Sequence, residues 1–339
     1  MDRKAVSFLF VGLVAGTLLA TSIFIGFMRS ARNDAAGGGR TVLKLAHTLD
    51  QSHPVHAAME FMAKRVRELS SGSVEVQVFP NGQLGSEPEC IEQCQRGALA
   101  MVKTSAGAME GFVPEMAVFG LPSLFRDEDH YWNALTGDLG REFLKYGENV
   151  GLHGLCYYDS GARSFYTVDR PIQTPEDVKG LKLRVMGSKT ARDMIVTLHA
   201  GPTPVPWGEL YTALQQSMVN GAENNPPSFF TSRHYEVAKH YSLNEHTRIP
   251  DIVLVSAEVW KNLPGQTRAW LDQAAQDSLE LQRKLWREKP AEALDMVQKA
   301  GVTIYHPAKQ PFIDATASMY KEYEGTRLGE LVTRIRAVK

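Results

Sequence analysis

Strand-like segments alternate with helix-like segments along most of this chain. Residues 42–46 and 74–78 have the composition of strands, and in the second of them Val alternates with Glu and Gln. Between the two, apolar residues recur at steps of three and four from Val55 to Leu69, which predicts an amphipathic helix that begins near Pro54. This alternation predicts an α/β fold with parallel sheets that helices cover on both faces.

The same alternation continues further along the chain. Residues 86–89 have the spacing of a capping box and predict the start of a helix. One helix is expected from about residue 128 to 146, followed by a strand over 151–158. The segment 264–300 has a helical pattern. Because proline lacks the backbone donor that a helix interior needs, Pro290 is expected to start a new helix or to produce a kink.

The segment from Gly180 to Pro226 carries the most informative patterns. It opens with a short strand over 181–185, in which apolar residues alternate with Lys and Arg. A proline-rich turn, GPTPVP, follows at 201–206. An amphipathic helix is then expected to end at Asn220-Gly221. Its apolar stripe consists of Trp207, Leu210, Tyr211, Leu214 and Met218.

Arg184 lies near the end of that predicted strand. A guanidinium group is planar, forked and always charged, so it suits two-point recognition of a carboxylate. Ligands of α/β proteins bind beyond the carboxyl ends of the strands, where such an arginine would meet them. A surface ion pair is the alternative, because charged side chains are mostly exposed.

The N-terminal segment has the features of an export signal. Arg3 and Lys4 precede a run from Ala5 to Met28 that contains no charged residue. The run is long enough to span a bilayer, so residues 1–40 are expected to be a cleaved signal peptide with a linker or an uncleaved membrane anchor. No cysteine follows the run directly, which excludes a lipoprotein anchor. Both alternatives predict a globular part outside the cytoplasmic membrane.

Composition excludes several classes of protein. The 339 residues allow two domains, and a formal net charge of −1 indicates neither a nucleic-acid-binding protein nor an acidic disordered chain. No metalloprotease, nucleophile-elbow, phosphate-loop or dinucleotide-binding motif is present, so catalysis is not predicted. Cys90 and Cys94 stand four residues apart on one helix, a spacing that strains a disulfide. We therefore expect these two and Cys156 to be reduced, and we expect neither cofactor nor metal.

Four motifs in order resemble one family of receptors. They are an arginine in SGARS, the sequence LKLRV, the sequence PTPVPWGELYTALQQ and the sequence NGAENNP. Together they resemble the solute-binding subunit (DctP type) of tripartite ATP-independent periplasmic transporters, from about residue 41 to the end of the chain. The segments GAENNPPSFFTSRHYEV and LCYYDSGARSFYT are similar to the branch that binds uronic acids.

The resemblance implies the architecture. It indicates a fold like the type II periplasmic binding proteins, in which two α/β domains flank a ligand cleft and one long helix spans both. Residues 41–160 with 248–285 would form domain I. Residues 161–247 with 286–339 would form domain II. The chain would pass between the domains near 159–162 and again near 247–250.

The resemblance also implies a set of ligand-binding residues. Arg184 matches the carboxylate-clamping arginine of the family, and Arg163 matches the arginine that supports it. Two further candidates follow from their positions in the chain: Glu87 at a helix N-terminus, for which pairing with its own helix dipole is an alternative to binding a sugar hydroxyl, and His246 at the returning passage. The other residues that the resemblance implies are Asn224 opposite the clamp, Trp207 as the floor of the pocket, and Thr48, Lys103 and Ser105 from the first domain. His53 is a candidate from its own position, where a loop or cap role is the alternative to contact with a ligand.

The function implied is transport without chemistry. The receptor would bind a sugar acid, D-glucuronate or D-galacturonate, and deliver it as a monomer to the small and large integral membrane subunits. A C4-dicarboxylate or aldonate receptor of the same system is one alternative. A ligand-sensing ectodomain is another, suggested by the possible anchor. An enzyme is disfavoured because the sequence has no evident nucleophile–base pair.

Overall fold

The computed structural model describes residues 40–339, and the predicted export segment lies outside them except for Arg40. Eleven strands in the described part of the chain form two sheets. They are β1 (Thr41–Ala46), β2 (Val74–Phe79), β3 (Met101–Ser105), β4 (Leu152–Tyr158), β5 (Arg163–Thr167), β6 (Lys182–Val185), β7 (Gly201–Pro204), β8 (Gly221–Asn224), β9 (His240–Thr247), β10 (Asp251–Ser256) and β11 (Thr303–Tyr305).

The two sheets define the two lobes of an α/β protein, as the fold prediction requires. The first sheet has the strand order β2-β1-β3-β10-β4, and the second has the order β11-β9-β5-β8-β6-β7. The prediction of wholly parallel sheets is wrong, because β10 runs antiparallel to β3 and β4, and β5 runs antiparallel to β8 and β9. Each of these two strands follows a short passage from the other sheet instead of a crossover helix. The chain therefore enters the sheet at the edge where the parallel strands end, and the new strand runs in the opposite direction.

Helices fill the connections within each lobe. Five short 3₁₀ helices cover Pro114–Gly120, Glu148–Val150, Pro175–Val178, Trp207–Glu209 and His234–Glu236. The α-helices are α1 (Pro54–Leu69), α2 (Glu87–Gln95), α3 (Ala106–Met109), α4 (Glu128–Thr136), α5 (Asp138–Phe143), α6 (Lys189–Thr197), α7 (Leu210–Gln215), α8 (Pro226–Thr231), α9 (Ala257–Asn262), α10 (Gly265–Lys299), α11 (Gln310–Thr316), α12 (Ser318–Lys321) and α13 (Arg327–Ala337).

The first two helices confirm their sequence signals. Helix α1 begins at Pro54 and ends at Leu69, and its stripe of Val and Met side chains is buried. Helix α2 begins with the predicted capping box, in which Glu89 accepts hydrogen bonds from the backbone and the hydroxyl of Ser86. Local spacing was sufficient to predict these two helices, because the residues that specify each of them lie within one or two helical turns of one another.

The helix expected over 128–146 is instead two helices, α4 and α5, which Gly137 separates. Gly137 has an extended backbone, with ψ near −173°. A side chain at Gly140 would also collide with the carbonyl oxygen of Leu135, since a Cβ there would lie 1.8 Å from it. The chain therefore folds back at a point where only glycine permits the close approach.

The proline-rich turn and the helix after it also differ from expectation. Residues 201–204 form β7, which pairs with β6 at the edge of the second sheet, and an edge strand tolerates proline because its outer side needs no partner. The following helix ends at Gln215 rather than at Asn220-Gly221. Its predicted stripe fails at Met218, which is 56% exposed, because the chain has already left the helix through a left-handed Ser217.

Helix α10 contacts both lobes. It packs against α1 and β4 on the first sheet and against α8 beside the second sheet. Gln282 in its middle bonds to both backbone groups of Asp159, at 2.8 Å each, and so holds the passage between the sheets. The expectation that Pro290 starts a new helix is wrong, because α10 is continuous through it. A long helix shared by two lobes fits the predicted architecture.

Most of the apolar core lies around the first sheet and continues into β6 and α6 of the second lobe, and a smaller core lies between the second sheet and the end of α10. The three cysteines are buried and unpaired within the described residues.

The division of the chain into domains stays a prediction. Helix α13, assigned by that prediction to domain II, packs against the 3₁₀ helix Pro114–Gly120 of the first lobe.

Candidate functional site

A cavity between the two sheets brings together nine of the ten predicted site residues. It encloses about 470 Å³, part of it open to solvent. The nine are Thr48, His53, Glu87, Lys103, Ser105, Arg163, Arg184, Trp207 and Asn224. Six further lining residues were not predicted, and they are Leu49, Ser160, Met186, Asn225, Ser228 and Asp251.

Strand topology explains why these side chains meet. Lys103 and Ser105 lie at the carboxyl end of β3, and Arg184 and Asn224 lie near the carboxyl ends of the parallel strands β6 and β8. The carboxyl ends of parallel strands share one edge of a sheet, where α/β proteins form their ligand sites. Arg163 joins them because β5 starts at that edge and runs antiparallel to β8.

Arg184 is the one cation of the cavity that has no carboxylate partner among the described residues. Its Nε donates a hydrogen bond to the carbonyl of Val205 at 2.9 Å, and its guanidinium carbon lies 5.4 Å from the ring centre of Trp207. The side chain is only 4% exposed, and burial lowers the pKa of the guanidinium from its usual value. The Nη groups therefore remain available to an anionic ligand.

Arg163, by contrast, has a carboxylate partner. Its guanidinium donates to both carboxylate oxygens of Glu223 and to the side-chain oxygen of Asn224, the last at 3.0 Å. Burial disfavours both charges, but their mutual attraction outweighs it: the pKa of Arg163 is raised and that of Glu223 is lowered to about 2. Through this pair, Arg163 fixes the position of Asn224 at the cavity.

The first lobe contributes a second buried cluster of charges. Lys103 Nζ lies 2.9 Å from Asp251 Oδ2 and 3.8 Å from Glu87 Oε1. Glu87 also accepts a hydrogen bond from the backbone N–H of Ser105 at 3.0 Å. Burial raises the pKa of Asp251 to about 6, although Lys103 opposes that shift. This lobe therefore presents one ammonium group together with two carboxyl groups.

His53 links the two lobes as a neutral imidazole. Burial, reinforced by the charge of Lys103, holds the pKa of His53 well below its usual range. Its Nδ1 accepts a hydrogen bond from the backbone of Val55, so Nε2 carries the proton and donates to Ser228 Oγ at 3.2 Å. The bond spans the cleft, because Ser228 lies on α8 of the second lobe.

His246 is the predicted candidate that the structure does not bring to the cavity. It lies on β9 behind Arg163, where its ring stacks on Phe165 with centroids 4.4 Å apart. Its Nδ1 lies 3.0 Å from Asn244 Oδ1, and its Nε2 lies 3.6 Å from Glu223. The sequence placed it near the passage between lobes, but successive side chains of a strand point to opposite faces, and His246 points away from the ligand cavity.

The missed residues gave little local signal. Asp251 opens β10 and meets the cavity because that strand pairs antiparallel with β3, opposite Ser105. Only the fold brings these distant positions together. Ser228 sits in the first turn of α8, which Asn225 caps. The described residues contain no group of three or more His, Cys, Asp or Glu side chains that could hold a metal ion.

Solved structures resemble this chain over most of its length. A TRAP periplasmic solute-binding protein from a Bradyrhizobium species, in complex with D-galacturonate, is 43% identical, with a TM-score of 0.84 over 86% of this chain and 98% of its own. One from Chromohalobacter salexigens with bound D-glucuronate is 35% identical (TM-score 0.85, 88% and 100%). One from a Polaromonas species bound to D-erythronate is 32% identical (TM-score 0.86, 88% and 99%).

The sequence itself matches a family model. Residues 45–326 match the model of the bacterial extracellular solute-binding proteins of family 7, named DctP. That range includes every residue lining the cavity. Within residues 40–339, no helix is both long enough and apolar enough to cross a membrane.

The match to the family model and the similarity to the solved structures together identify the family. This chain belongs to family 7 of the bacterial extracellular solute-binding proteins, the solute-binding subunits of TRAP transporters.

Proposed function

We propose that this protein is the receptor for a hexuronate, D-glucuronate or D-galacturonate, of a tripartite ATP-independent periplasmic transporter. Three similar proteins hold galacturonate, glucuronate and erythronate. Each of these ligands carries one carboxylate beside several hydroxyl groups. A site for such a molecule needs one strong cation and a set of neutral or acidic partners for the hydroxyls.

One observation carries the proposal: Arg184 is buried at the cavity without a carboxylate partner in the described part of the chain. A guanidinium in that state favours an incoming carboxylate, because the low local dielectric strengthens their hydrogen bonds. Trp207 beside it offers an apolar face to the C–H groups of a sugar ring.

The remaining candidates would bind the hydroxyl groups. Lys103, Ser105, Thr48 and Asn224 line the same cavity and provide donors and acceptors. Arg163 would act mainly by holding Asn224 in place, since most of its donors are taken up by Glu223 and Asn224. His53 would help to close the cleft through Ser228.

Closure of the two lobes would complete the site. The lobes already contact each other beyond the cavity, where Glu110 accepts hydrogen bonds from Ser188 Oγ at 2.6 Å and from Thr190 N at 3.1 Å. The long helix α10, anchored to both lobes, would confine their motion to a hinge. The closed receptor would then dock on the small and large membrane subunits.

The remaining features of the proposal follow from the family role. The protein acts outside the cytoplasm, and residues 1–40 would be its signal peptide or membrane anchor. It would work as a monomer, without a cofactor, and it would release its ligand unchanged.

A thermal-shift screen of the purified protein tests the proposal. The panel consists of D-glucuronate, D-galacturonate, aldonates, C4-dicarboxylates and the neutral sugars glucose and galactose. A ligand at 100 times its dissociation constant stabilises its receptor by about 2.7 kcal/mol, which raises the melting temperature measurably. We expect a shift with the uronates and none with the neutral sugars.

The other outcomes separate the parts of the proposal. A shift only with a C4-dicarboxylate or an aldonate would retain the transport receptor and overturn the uronate ligand. No shift with any acid would contradict the role of Arg184 as a carboxylate clamp.

A further inference from the structure

The charges of the ligand cavity are distributed unevenly between its two walls. We define the first wall as Glu87, Lys103 and Asp251 and the second wall as Arg163 and Arg184, together with Glu223, which pairs with Arg163 but does not itself line the cavity. On the second wall, Glu223 compensates Arg163, which leaves the charge of Arg184 unmatched within the described residues. On the first wall, two carboxyl groups share the single ammonium of Lys103. One wall therefore has an excess of positive charge and the other an excess of carboxyl oxygens.

We propose that Glu87 and Asp251 are specificity-determining residues that exclude acids carrying a second carboxylate at the end opposite the one bound by Arg184. This inference rests on the proposed function, because it assumes that the ligand carboxylate occupies the second wall. The far end of the ligand then meets the first wall. A hydroxyl group there donates to the carboxylates, whereas a second carboxylate would be repelled by them.

The hydrogen bonds of the first wall leave acceptors free. Glu87 Oε1 is occupied by the backbone of Ser105, and Asp251 Oδ2 lies against Lys103. Glu87 Oε2 and Asp251 Oδ1 accept no hydrogen bond from the described residues, and both side chains line the cavity. A carboxylate oxygen is an acceptor only, so these two atoms match hydroxyl donors of a sugar and not another anion.

Lys103 does not remove this discrimination. Its side chain is 3% exposed, and the position of its ammonium group is already fixed by two carboxylates of the wall. To pair with a second ligand carboxylate it would have to weaken its contact with Asp251, which would leave that buried side chain without its partner. The first wall consequently favours a ligand whose far end is neutral over a ligand whose far end carries a carboxylate.

The test compares D-galacturonate with two open-chain acids that differ from each other only in the second carboxylate. Galactarate is galacturonate with its C1 carbonyl oxidised to a carboxylate, and L-galactonate keeps the C6 carboxylate of galacturonate but has a hydroxymethyl group at C1. Dissociation constants would be measured by calorimetry for these three acids and for succinate. If D-glucuronate binds more tightly, D-glucarate and L-gulonate, its products of oxidation and reduction at C1, replace them. We expect the wild-type protein to bind galactarate at least about 100-fold more weakly than galacturonate and L-galactonate.

Two variants and one control probe the residues. Glu87→Gln and Asp251→Asn each remove one negative charge while keeping the shape, and each should reduce the discrimination against galactarate about tenfold or more. Glu92→Gln makes the same charge change on α2 at an exposed position outside the cavity, and it should leave the discrimination unchanged. Glu87 lies in the first turn of α2 but takes no part in its capping box, so Glu87→Gln should fold even if Asp251→Asn does not.

The outcomes distinguish this inference from the proposed function. If the wild type binds a uronate and neither variant changes the discrimination, the inference fails and the uronate receptor stands. If the wild type binds galactarate or succinate as tightly as the uronate, the inference is likewise overturned. If no acid binds the wild type, the proposed function itself fails.

Discussion

The two walls of the cavity hold buried charges by different chemistry. On the second wall, the fork of Arg163 contacts both oxygens of Glu223, so that pair is complete in itself. On the first wall, the ammonium group of Lys103 is a point charge shared by Asp251 and Glu87. A complete pair of this kind leaves little for a ligand, whereas a cation shared by two carboxyl groups leaves acceptor oxygens free. The comparison suggests that the unmatched groups of a site, rather than its total charge, decide what it binds.

The two buried acids respond to their surroundings in opposite directions. Burial alone would raise the pKa of each. At Glu223 the attraction of Arg163 outweighs burial, and the pKa falls to about 2. At Asp251 burial outweighs Lys103, and the pKa rises to about 6. The second wall is therefore expected to resist acid, while the first wall takes up a proton within a few units of neutral pH.

The largest expected effect comes from breaking the complete pair. Glu223→Ala leaves the guanidinium of Arg163 buried without its carboxylate and should lower the free energy of unfolding by about 3–5 kcal/mol. Denaturant unfolding measures it. Glu209→Ala, which removes an exposed carboxylate of the same lobe, should change stability by less than about 0.5 kcal/mol. Equal losses in the two variants would show that the pair is not the stabilising feature.

Removing the unmatched cation should affect binding rather than folding. Arg184→Ala leaves the ligand carboxylate desolvated and unpaired, which costs about 2–5 kcal/mol, or roughly 30-fold to several thousand-fold in affinity. Calorimetry with the uronate that binds most tightly to the wild type measures the loss. Lys182→Ala, on the exposed face of the same strand, is the matched control and should bind normally. Affinity within a few-fold of wild type in Arg184→Ala would contradict the clamp.

The next prediction concerns the pH dependence of stability, in which the two walls are expected to differ. Asp251 has a folded-state pKa of about 6, above its ordinary value of 3.8, so the folded protein holds this proton more tightly than the unfolded chain does. The resulting stabilisation is complete below about pH 4 and is lost as the pH rises through 6. Relative to Asp251→Asn, the wild type should lose about 2–3 kcal/mol between pH 4 and pH 7. If the free energy of unfolding has the same pH dependence in the wild type and in Asp251→Asn, the raised pKa of Asp251 is refuted.

Much of the fold and most of the candidate site followed from the sequence. Helix α1 was predictable because its apolar spacing and its first-turn proline are local signals. The cavity residues were predictable because family motifs place Arg184, Trp207 and Asn224 at the carboxyl ends of strands or directly after them. Such motifs carry long-range information that spacing alone does not contain.

The failures share a physical cause in long-range pairing. Strand β7 looked like a turn because its prolines are acceptable only at an edge, and the edge is set by the order of the sheet. Asp251 was missed because it reaches the cavity only when β10 pairs with β3. His246 was expected near the ligand because the chain passes between lobes nearby, but the face on which it lies depends on the register of β9.

The smallest expected effect concerns Trp207, in the segment whose helix was mispredicted. Its ring lies over Arg184 and forms part of the cavity, so Trp207→Ala should lose a cation–π contact of about 0.5–2 kcal/mol and weaken uronate binding by roughly 2- to 30-fold. Trp207→Phe keeps an aromatic face and should retain most of the affinity. A matched loss in both variants would indicate that the indole, through its size or its N–H group, acts on the ligand directly. No loss in either would show that Arg184 alone carries recognition on the second wall.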